Sequence, residues 1–256
     1  LKNADRLKTV INLCPPEGAR LAFDFAQFGQ SEDKFPLKIF DQNGLAYCLM
    51  EMKTITPFAL NFLSPMELEK YDTFGSKRKI SYVAARIALK RLARKLSDAA
   101  MQADATSIET VEAEQAHPVL SFLGFENNFH CSVSHDERFV IAVAGKSKIG
   151  VDVERASEKL IRTMRRYMSP KEMELAASSP LGRLNAAVRV WTLKEAASKA
   201  IDLSLAKAFS SVEITDIGET ESIARISGSL YQAYHETIDD HIFTIIEICT
   251  IGNALP

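Results

Sequence analysis

One helix-opening phrase occurs twice in this 256-residue chain, as Ser64-Pro65-Met66-Glu67 and again as Ser169-Pro170-Lys171-Glu172. A serine side chain can cap free backbone N–H groups at a helix start. Proline suits the first turn, where its missing N–H would be unpaired anyway, and an acid nearby complements the positive helix end. The pattern around each phrase repeats as well: a strand, a short helix, a long helix, then strands. Long helices are expected from about Lys79 to Leu96, on the apolar stripe Ala85, Leu89, Leu92 and Leu96, and from about Leu184 to Ile201. The segment 20–28 alternates as a strand, and Leu37–Phe40 leads through Asp41-Gln42-Asn43-Gly44 into Leu45–Met52. Asn-Gly between two apolar runs is a hairpin signal. Residues 129–143 read as two apolar segments broken at Ser134-His135-Asp136-Glu137, and Ile149–Glu154 alternates cleanly. Ser211–Ile217, Ile223–Tyr234 and His241–Ile251 read as strands of an antiparallel sheet. Two similar halves follow from this order, although no repeat is visible letter by letter.

The composition removes several function classes. Thirty-one Lys and Arg against thirty-three Asp and Glu leave a net charge of −2, so no global field points to nucleic acid or an anionic membrane. Apolar runs such as Phe139–Ala144 fall far short of the roughly 20 residues a membrane helix needs. No signal-peptide pattern opens the chain, and a cytoplasmic location is expected. The chain starts at Leu1 rather than Met, which reads as a piece of a longer polypeptide or a lost tag. Cys14, Cys48, Cys131 and Cys249 are scattered without a Cys-x-x-Cys pair and read as buried free thiols.

Familiar catalytic phrases fail on inspection. Gly145-Lys146-Ser147 lacks the upstream glycine of a phosphate loop, since position 140 is Val. There is no Gly-x-Ser-x-Gly elbow and no His-Glu-x-x-His, and the five histidines form no cluster in sequence.

Three features survive together. Asp152 and Glu154 lie two apart in an alternating strand, so both carboxylates project from one face, roughly 6–7 Å apart at Cα. Ile149, Val151 and Val153 point the other way, into a core. Trp191, Glu195 and Lys199 recur at four-residue steps along one helix face. Lys70, Lys77, Arg78, Lys79, Arg86, Lys90, Arg91, Arg94 and Lys95 concentrate positive charge, with Asp72 the one acid among them. Each feature alone fits a plainer role: a polar strand edge, a core tryptophan beside an exposed ion pair, a solvated helix face. Together, three carboxylates on two elements, a lysine and a basic surface suit a magnesium ion gripping a polyphosphate. Magnesium is satisfied by a few carboxylates plus phosphate oxygens and water.

Ile149-Gly150-Val151-Asp152-Val153-Glu154, followed by Trp191-Thr192-Leu193-Lys194-Glu195-Ala196 and Lys199-Ala200, resembles the paired signature of the 4'-phosphopantetheinyl transferases. The resemblance is to the monomeric, two-lobed type that activates polyketide, peptide and fatty-acid synthases. Further matches fall in the expected order: the Ser64-Pro65 helix with Lys70, Ala84-Ala85-Arg86, the Pro118 segment, Cys131–His135, and Tyr167–Glu172. It spans about residues 46–250.

That resemblance implies an α+β fold of two similar lobes related by pseudo-twofold symmetry, each an antiparallel sheet packed with helices. The implied division is a β-rich leading segment at 1–45, an N-terminal lobe at 46–145 and a C-terminal lobe at 146–256 carrying the metal site. The leading segment would be the tail of a preceding domain. Coenzyme A would bind between the lobes, and a serine of an acyl or peptidyl carrier protein would attack its β-phosphate, releasing adenosine 3',5'-bisphosphate. Asp152, Glu154 and Glu195 would hold Mg²⁺, with Mn²⁺ the other ion to consider, and water would fill the side where Val153 cannot ligate. Glu195, or a water on the metal, would accept the serine proton, and Lys199 would stabilise the leaving phosphate. Lys70, Arg86, His117, Ser134, His135 and Lys199 would contact coenzyme A. His117 stands where many members carry lysine. Arg162, Arg165 and Arg166 are candidate carrier contacts. The implied protein is a monomer, or a domain of a larger synthase, with no nucleic-acid or membrane partner. The same acids also suit a magnesium-dependent phosphodiesterase, and a non-catalytic coenzyme A or carrier-binding module is a further alternative.

Overall fold

The computed structural model describes residues 37–40, 45–55, 57–97, 100, 103–111, 118–121 and 129–248. The strand expected at 20–28, the turn at 41–44, His117, Cys14 and Cys249 lie outside these residues. The strands are β1 (Leu37–Phe40), β2 (Leu45–Glu51), β3 (His130–His135), β4 (Phe139–Gly145), β5 (Lys148–Arg155), β6 (Val212–Ile217), β7 (Glu221–Ile226), β8 (Ser229–Ile238) and β9 (His241–Ile248). The helices are α1 (Pro65–Asp72), α2 (Ser76–Leu96), α3 (Glu158–Thr163), α4 (Pro170–Ser178), α5 (Arg183–Ala200) and α6 (Leu205–Ser211), with short 3-10 turns between some of them.

Two antiparallel sheets result, ordered β1-β2-β4-β3 and β5-β9-β8-β7-β6. β2 and β4 read as nearly unbroken apolar runs because both of their faces are covered. Ala46, Cys48, Met50, Val140, Ala142 and Ala144 meet Ala85, Leu89 and Leu92 of α2. The alternate residues Leu45, Tyr47, Leu49, Phe139, Ile141 and Val143 meet Ile149, Val151, Val153, Phe243 and Ile245 of the second sheet. The sheets therefore stack face to face, with α2 outside one and α5 outside the other. Ala186, Val190, Leu193 and Ala197 of α5 pack on Ala224, Ala233 and Ile246. The edges β3 and β5 lie side by side where the lobes meet, and Val151 N–H donates to Ser132 Oγ at 3.2 Å across that junction.

The twofold grammar of the sequence becomes a twofold set of contacts. Ser64 and Ser169 each cap their helix in a reciprocal box with Glu67 and Glu172. Each glutamate is buried and meets a buried lysine from the long helix: Lys90 lies 2.9 Å from Glu67, and Lys194 lies 2.8 Å from Glu172. The other oxygen of each glutamate accepts a backbone N–H from chain beyond the long helix, Thr110 at 3.2 Å and Ile214 at 2.8 Å.

Three expectations need correction. The run 223–234 is not one strand but the ends of β7 and β8, joined at Ser227 (φ 50°) and Gly228 (φ 86°). Such a two-residue turn needs positive φ at both positions and matches the twist of the flanking strands, so it interrupts the apolar pattern very little. The first sheet also begins ahead of residue 46, because β1 pairs with β2 from Leu37↔Cys48 to Phe40↔Leu45. Finally, Arg86, Lys90 and Arg94 do not form an exposed basic face. Arg86 Nη1 donates to Thr110 O, Lys90 Nζ to Ala105 O and Ile108 O, and Arg94 Nη2 to Ala103 O. They supply donors to the carbonyls of an irregular segment that has few backbone partners of its own.

Candidate active site

β5 carries Asp152 and Glu154, and α5 carries Glu195 and Lys199 past Asp152. On β5 the odd residues enter the core between the sheets, so Asp152 turns to the opposite face, under α5. There Lys199 Nζ donates to Asp152 Oδ1 and to the Val151 carbonyl, both at 2.9 Å, and lies 3.6 Å from Glu195 Oε1. Ser134, from the neighbouring lobe, donates its hydroxyl to the same Asp152 Oδ1 at 2.7 Å. Asp152 is 2% exposed, and its second oxygen, Oδ2, is buried without a hydrogen-bond partner.

The approach of helix to strand depends on Gly150. A β-carbon there would fall 1.8 Å from the Ala196 carbonyl oxygen, so no larger residue admits this contact. Gly150 lies two residues before Asp152, and Ala196 follows Glu195. The glycine thus sets the separation at which the acids face each other.

The acids strain one another electrostatically. Burial, then the charges of Asp152, Glu195 and Asp136, push Glu154 up to about 7. Burial and Asp152 likewise push Glu195 up to about 7, opposed by Lys199. Among the described residues no three His, Cys, Asp or Glu side chains are so arranged that they could hold a metal ion by themselves. The donor set nevertheless fits a hard divalent cation with an open coordination sphere. It consists of oxygen donors that repel one another, with one buried oxygen unpaired, and such a cation completes its shell with water and substrate oxygens.

A cleft of about 370 Å³ opens beside these groups, lined by Arg78, Tyr82, Arg86, Ser134, His135, Glu195 and Lys199, among others. Of the residues predicted from sequence, Asp152, Glu195, Lys199, Ser134, His135 and Arg86 meet at or beside it. Glu154 joins them through its electrostatic coupling to Asp152 and Glu195. Lys70 is exposed on α1 and does not line the cleft. Trp191 turns away into the core, its ring 5.0 Å from Tyr167 and 5.5 Å from Phe209. His135 stands at the cleft mouth, where partial burial and the charge of Lys199 lower its pKa.

Arg78 and Tyr82 were not singled out as site residues from sequence. With Arg86 they recur at four-residue steps on α2, and that spacing was the signal available. Tyr82 Oη and Arg86 Nε are buried without hydrogen-bond partners, and the Arg86 guanidinium lies 5.1 Å from the Tyr82 ring centroid. One wall of the cleft is therefore cationic with unspent donors. Glu195 is the acid in the lining and is paired with Lys199, so cations outnumber acids around the cleft, as a polyphosphate ligand requires.

Comparison with known proteins places the chain in a family. A profile of the 4'-phosphopantetheinyl transferase superfamily matches residues 148–246, from β5 into β9. The holo-[acyl-carrier-protein] synthase of Lactobacillus johnsonii is 32% identical over 88 residues, covering 34% of this chain and 74% of that protein. The synthase of Limosilactobacillus reuteri (strain DSM 20016) is 30% identical over 86 residues, covering 33% and 72%. The crystal structure of the Thermotoga maritima holo-[acyl-carrier-protein] synthase aligns with a TM-score of 0.34 and 28% identity, over 49% of this chain and 74% of that one. The chain belongs to the 4'-phosphopantetheinyl transferase superfamily. No helix among the described residues is long and apolar enough to cross a membrane.

Proposed function

We propose that this protein transfers the 4'-phosphopantetheine arm of coenzyme A to a serine of an acyl or peptidyl carrier protein, with Mg²⁺ as its metal. The observation that carries the reading is the placement of Asp152, Glu195 and Lys199 against one another at the mouth of a cationic cleft. Asp152, Glu154 and Glu195 would hold the ion. When bound, it would neutralise the pyrophosphate and favour in-line displacement at the β-phosphorus.

The protein's own residues account for the other requirements. Arg78, Arg86 and His135 would receive the nucleotide end of coenzyme A, with Tyr82 Oη and Arg86 Nε as unspent donors. Glu195, facing Lys199 at the cleft, would accept the serine proton. As the serine Oγ–phosphorus bond forms, the bond to the nucleotide breaks and adenosine 3',5'-bisphosphate departs. Lys199 lies one turn from Glu195 and would balance the charge gained by that leaving group.

The test is the intact mass of an apo acyl carrier protein after incubation with this protein, coenzyme A and Mg²⁺. The expected result is a gain of one phosphopantetheine arm, absent with Glu195→Ala and absent with EDTA. Coenzyme A cleaved without a carrier would instead identify a phosphodiesterase. Coenzyme A bound but neither cleaved nor transferred to any of several carriers would identify a binding module.

A further inference from the structure

Behind the acids lies a closed polar chain that the proposed reaction leaves unused. Ser222, His235, Thr244 and Thr192 are all at most 1% exposed. His235 Nε2 lies 2.7 Å from Ser222 Oγ, His235 Nδ1 lies 2.8 Å from Thr244 Oγ1, and Thr244 Oγ1 lies 2.6 Å from Thr192 Oγ1. Two members of this chain lie next to the site. Thr244 is the cross-strand partner of Asp152 in the β5–β9 ladder, and Thr192 precedes Glu195 by three residues on α5.

One assignment of the hydrogens satisfies these side chains together. Thr192 donates its one hydroxyl hydrogen back along its helix, to Val188 O at 3.1 Å and Arg189 O at 3.3 Å. With its hydrogen so placed Thr192 accepts from Thr244, whose own hydrogen is spent in that bond. Thr244 therefore accepts from Nδ1–H of His235. Burial, reinforced by the nearby Arg189 charge, pushes His235 down to about 3, so the ring is neutral and holds one N–H. Its Nε2 is left bare and accepts from the Ser222 hydroxyl, and Ser222 Oγ accepts from Gly218 N–H at 3.4 Å. In this arrangement the side-chain hydrogens of Ser222, His235 and Thr244 all run toward α5, while the Gly218 N–H is shared with Glu221 O at 2.9 Å.

We infer that His235, in its Nδ1–H tautomer, is a positioning residue: through Thr244 and Thr192 it bolts α5 to β9 beside Asp152 and so holds Glu195 in register with that acid. This role rests on the transferase reading of the site. Gly150 sets how closely α5 approaches β5, while the threonine pair resists sliding and rotation of the helix along the sheet. Misplacement of a reacting group by about 1 Å can cost up to about 100-fold in rate, so a bolt one turn from Glu195 has catalytic leverage.

Two substitutions separate the ring's two ends. His235→Asn carries an amide N–H near the Nδ1 position and keeps a donor for Thr244. His235→Gln reaches toward Ser222 and leaves Thr244 without its donor. The expected result is kcat within about threefold of the parent for His235→Asn and about tenfold lower for His235→Gln, with carrier KM unchanged in both. The Mg²⁺ concentration for half-maximal rate is expected to rise only for His235→Gln. Equal kcat losses in both variants, or losses that follow melting temperature alone, would reduce His235 to a structural role and overturn the inference. The unsubstituted protein gives an independent reading if a variant fails to fold. Long-range ¹H–¹⁵N spectra of the His235 ring should show the proton on Nδ1, and a proton on Nε2 would reverse the chain and refute it. That spectrum requires no activity, so absence of transfer by the parent protein would count against the proposed function and leave the tautomer to be judged separately.

Discussion

A methyl group on Gly150 would lie 1.8 Å from the carbonyl oxygen of Ala196, well inside van der Waals contact. The next atoms it would meet, Ala196 C at 2.8 Å and Ala200 N at 2.9 Å, are backbone too, so no side chain can swing aside. The acidic strand and the helix carrying Glu195 and Lys199 touch through bare backbone at this point, and the site exists because they do. Gly150→Ala must push α5 off the sheet. The expected cost is about 3 kcal/mol in a urea melt, the upper part of the range for overpacking, with arm transfer falling at least about 100-fold. Gly182→Ala is the control. Its glycine has positive φ (77°) with open space around it, so strain there should lower stability and leave the rate of the folded protein unchanged. Full activity in Gly150→Ala would mean that the separation of strand and helix does not set the site.

The two buried lysine–glutamate pairs make a second expectation. Lys194 Nζ is held by Glu172, by the carbonyl of Tyr167 at 2.8 Å and by that of Phe209 at 3.1 Å. Removing one member leaves a buried charge uncompensated, at about 3–5 kcal/mol, whereas removing both exchanges the pair for apolar packing. Lys194→Met should therefore destabilise more than Lys194→Met with Glu172→Leu. Lys90→Met should behave the same way against Glu67 in the first lobe. A double variant no better than the single one would show that the capping bonds of the glutamate, not its charge, dominate.

Those pairs also show what could be read in advance. Helix starts are local chemistry, so Ser64 and Ser169 announced α1 and α4 directly, and the period-2 alternation of 149–154 placed Asp152 and Glu154 on one face. That Glu67 and Glu172 would reach past their caps to a lysine on the next helix was not legible, because a buried lysine and a solvated one look alike in sequence. The same ambiguity hid the inward turn of Arg86, Lys90 and Arg94, whose partners are backbone carbonyls at 103–110 and carry no residue signature. In the cleft, Arg78 and Tyr82 had only helical spacing to mark them. Asp152, Glu195 and Lys199 stood out because strand and helix spacing put charged side chains on one face of each element, and the fold brings those faces into contact. The orienting chain through His235 was not legible, because hydroxyls and a histidine spread over β7, β8, β9 and α5 meet only in the folded protein.

The acids also predict how divalent ions and pH interact. Glu154 and Glu195 are both raised from the ordinary carboxylate range to about 7. Each therefore contributes stability that is complete below its unfolded pKa, near 4.5, and that is lost as pH rises through about 7. In the proposed function a cation would replace the lost protons and bind only the ionised form. Mg²⁺ should therefore raise the melting temperature clearly at pH 8 and little at pH 5.5, and Glu195→Gln should shrink the shift at pH 8. Thermal melts at the two pH values, with and without EDTA, measure this. Equal shifts at both would place the ion elsewhere.

His235 predicts the opposite slope at lower pH. Its folded pKa lies near 3 because burial opposes the charged ring, while an unfolded histidine titrates near 6.5. Between those values the unfolded chain takes up a proton that the folded protein refuses. The stability associated with the neutral ring is complete above about pH 6.5 and is lost as pH falls toward 3. One proton corresponds to about 1.4 kcal/mol per pH unit. Asparagine at position 235 does not titrate, so the stability gap between the parent and His235→Asn should narrow by about that amount for each unit from pH 6 to pH 4. The other acid-sensitive groups cancel in the difference between the two proteins. Urea melts of both at matched pH give the slope directly. A gap that stays constant across the range would mean that the ring takes up a proton inside the folded sheet, and the hydrogen-bond chain from Ser222 to Thr192 would then have to break in acid without unfolding the protein.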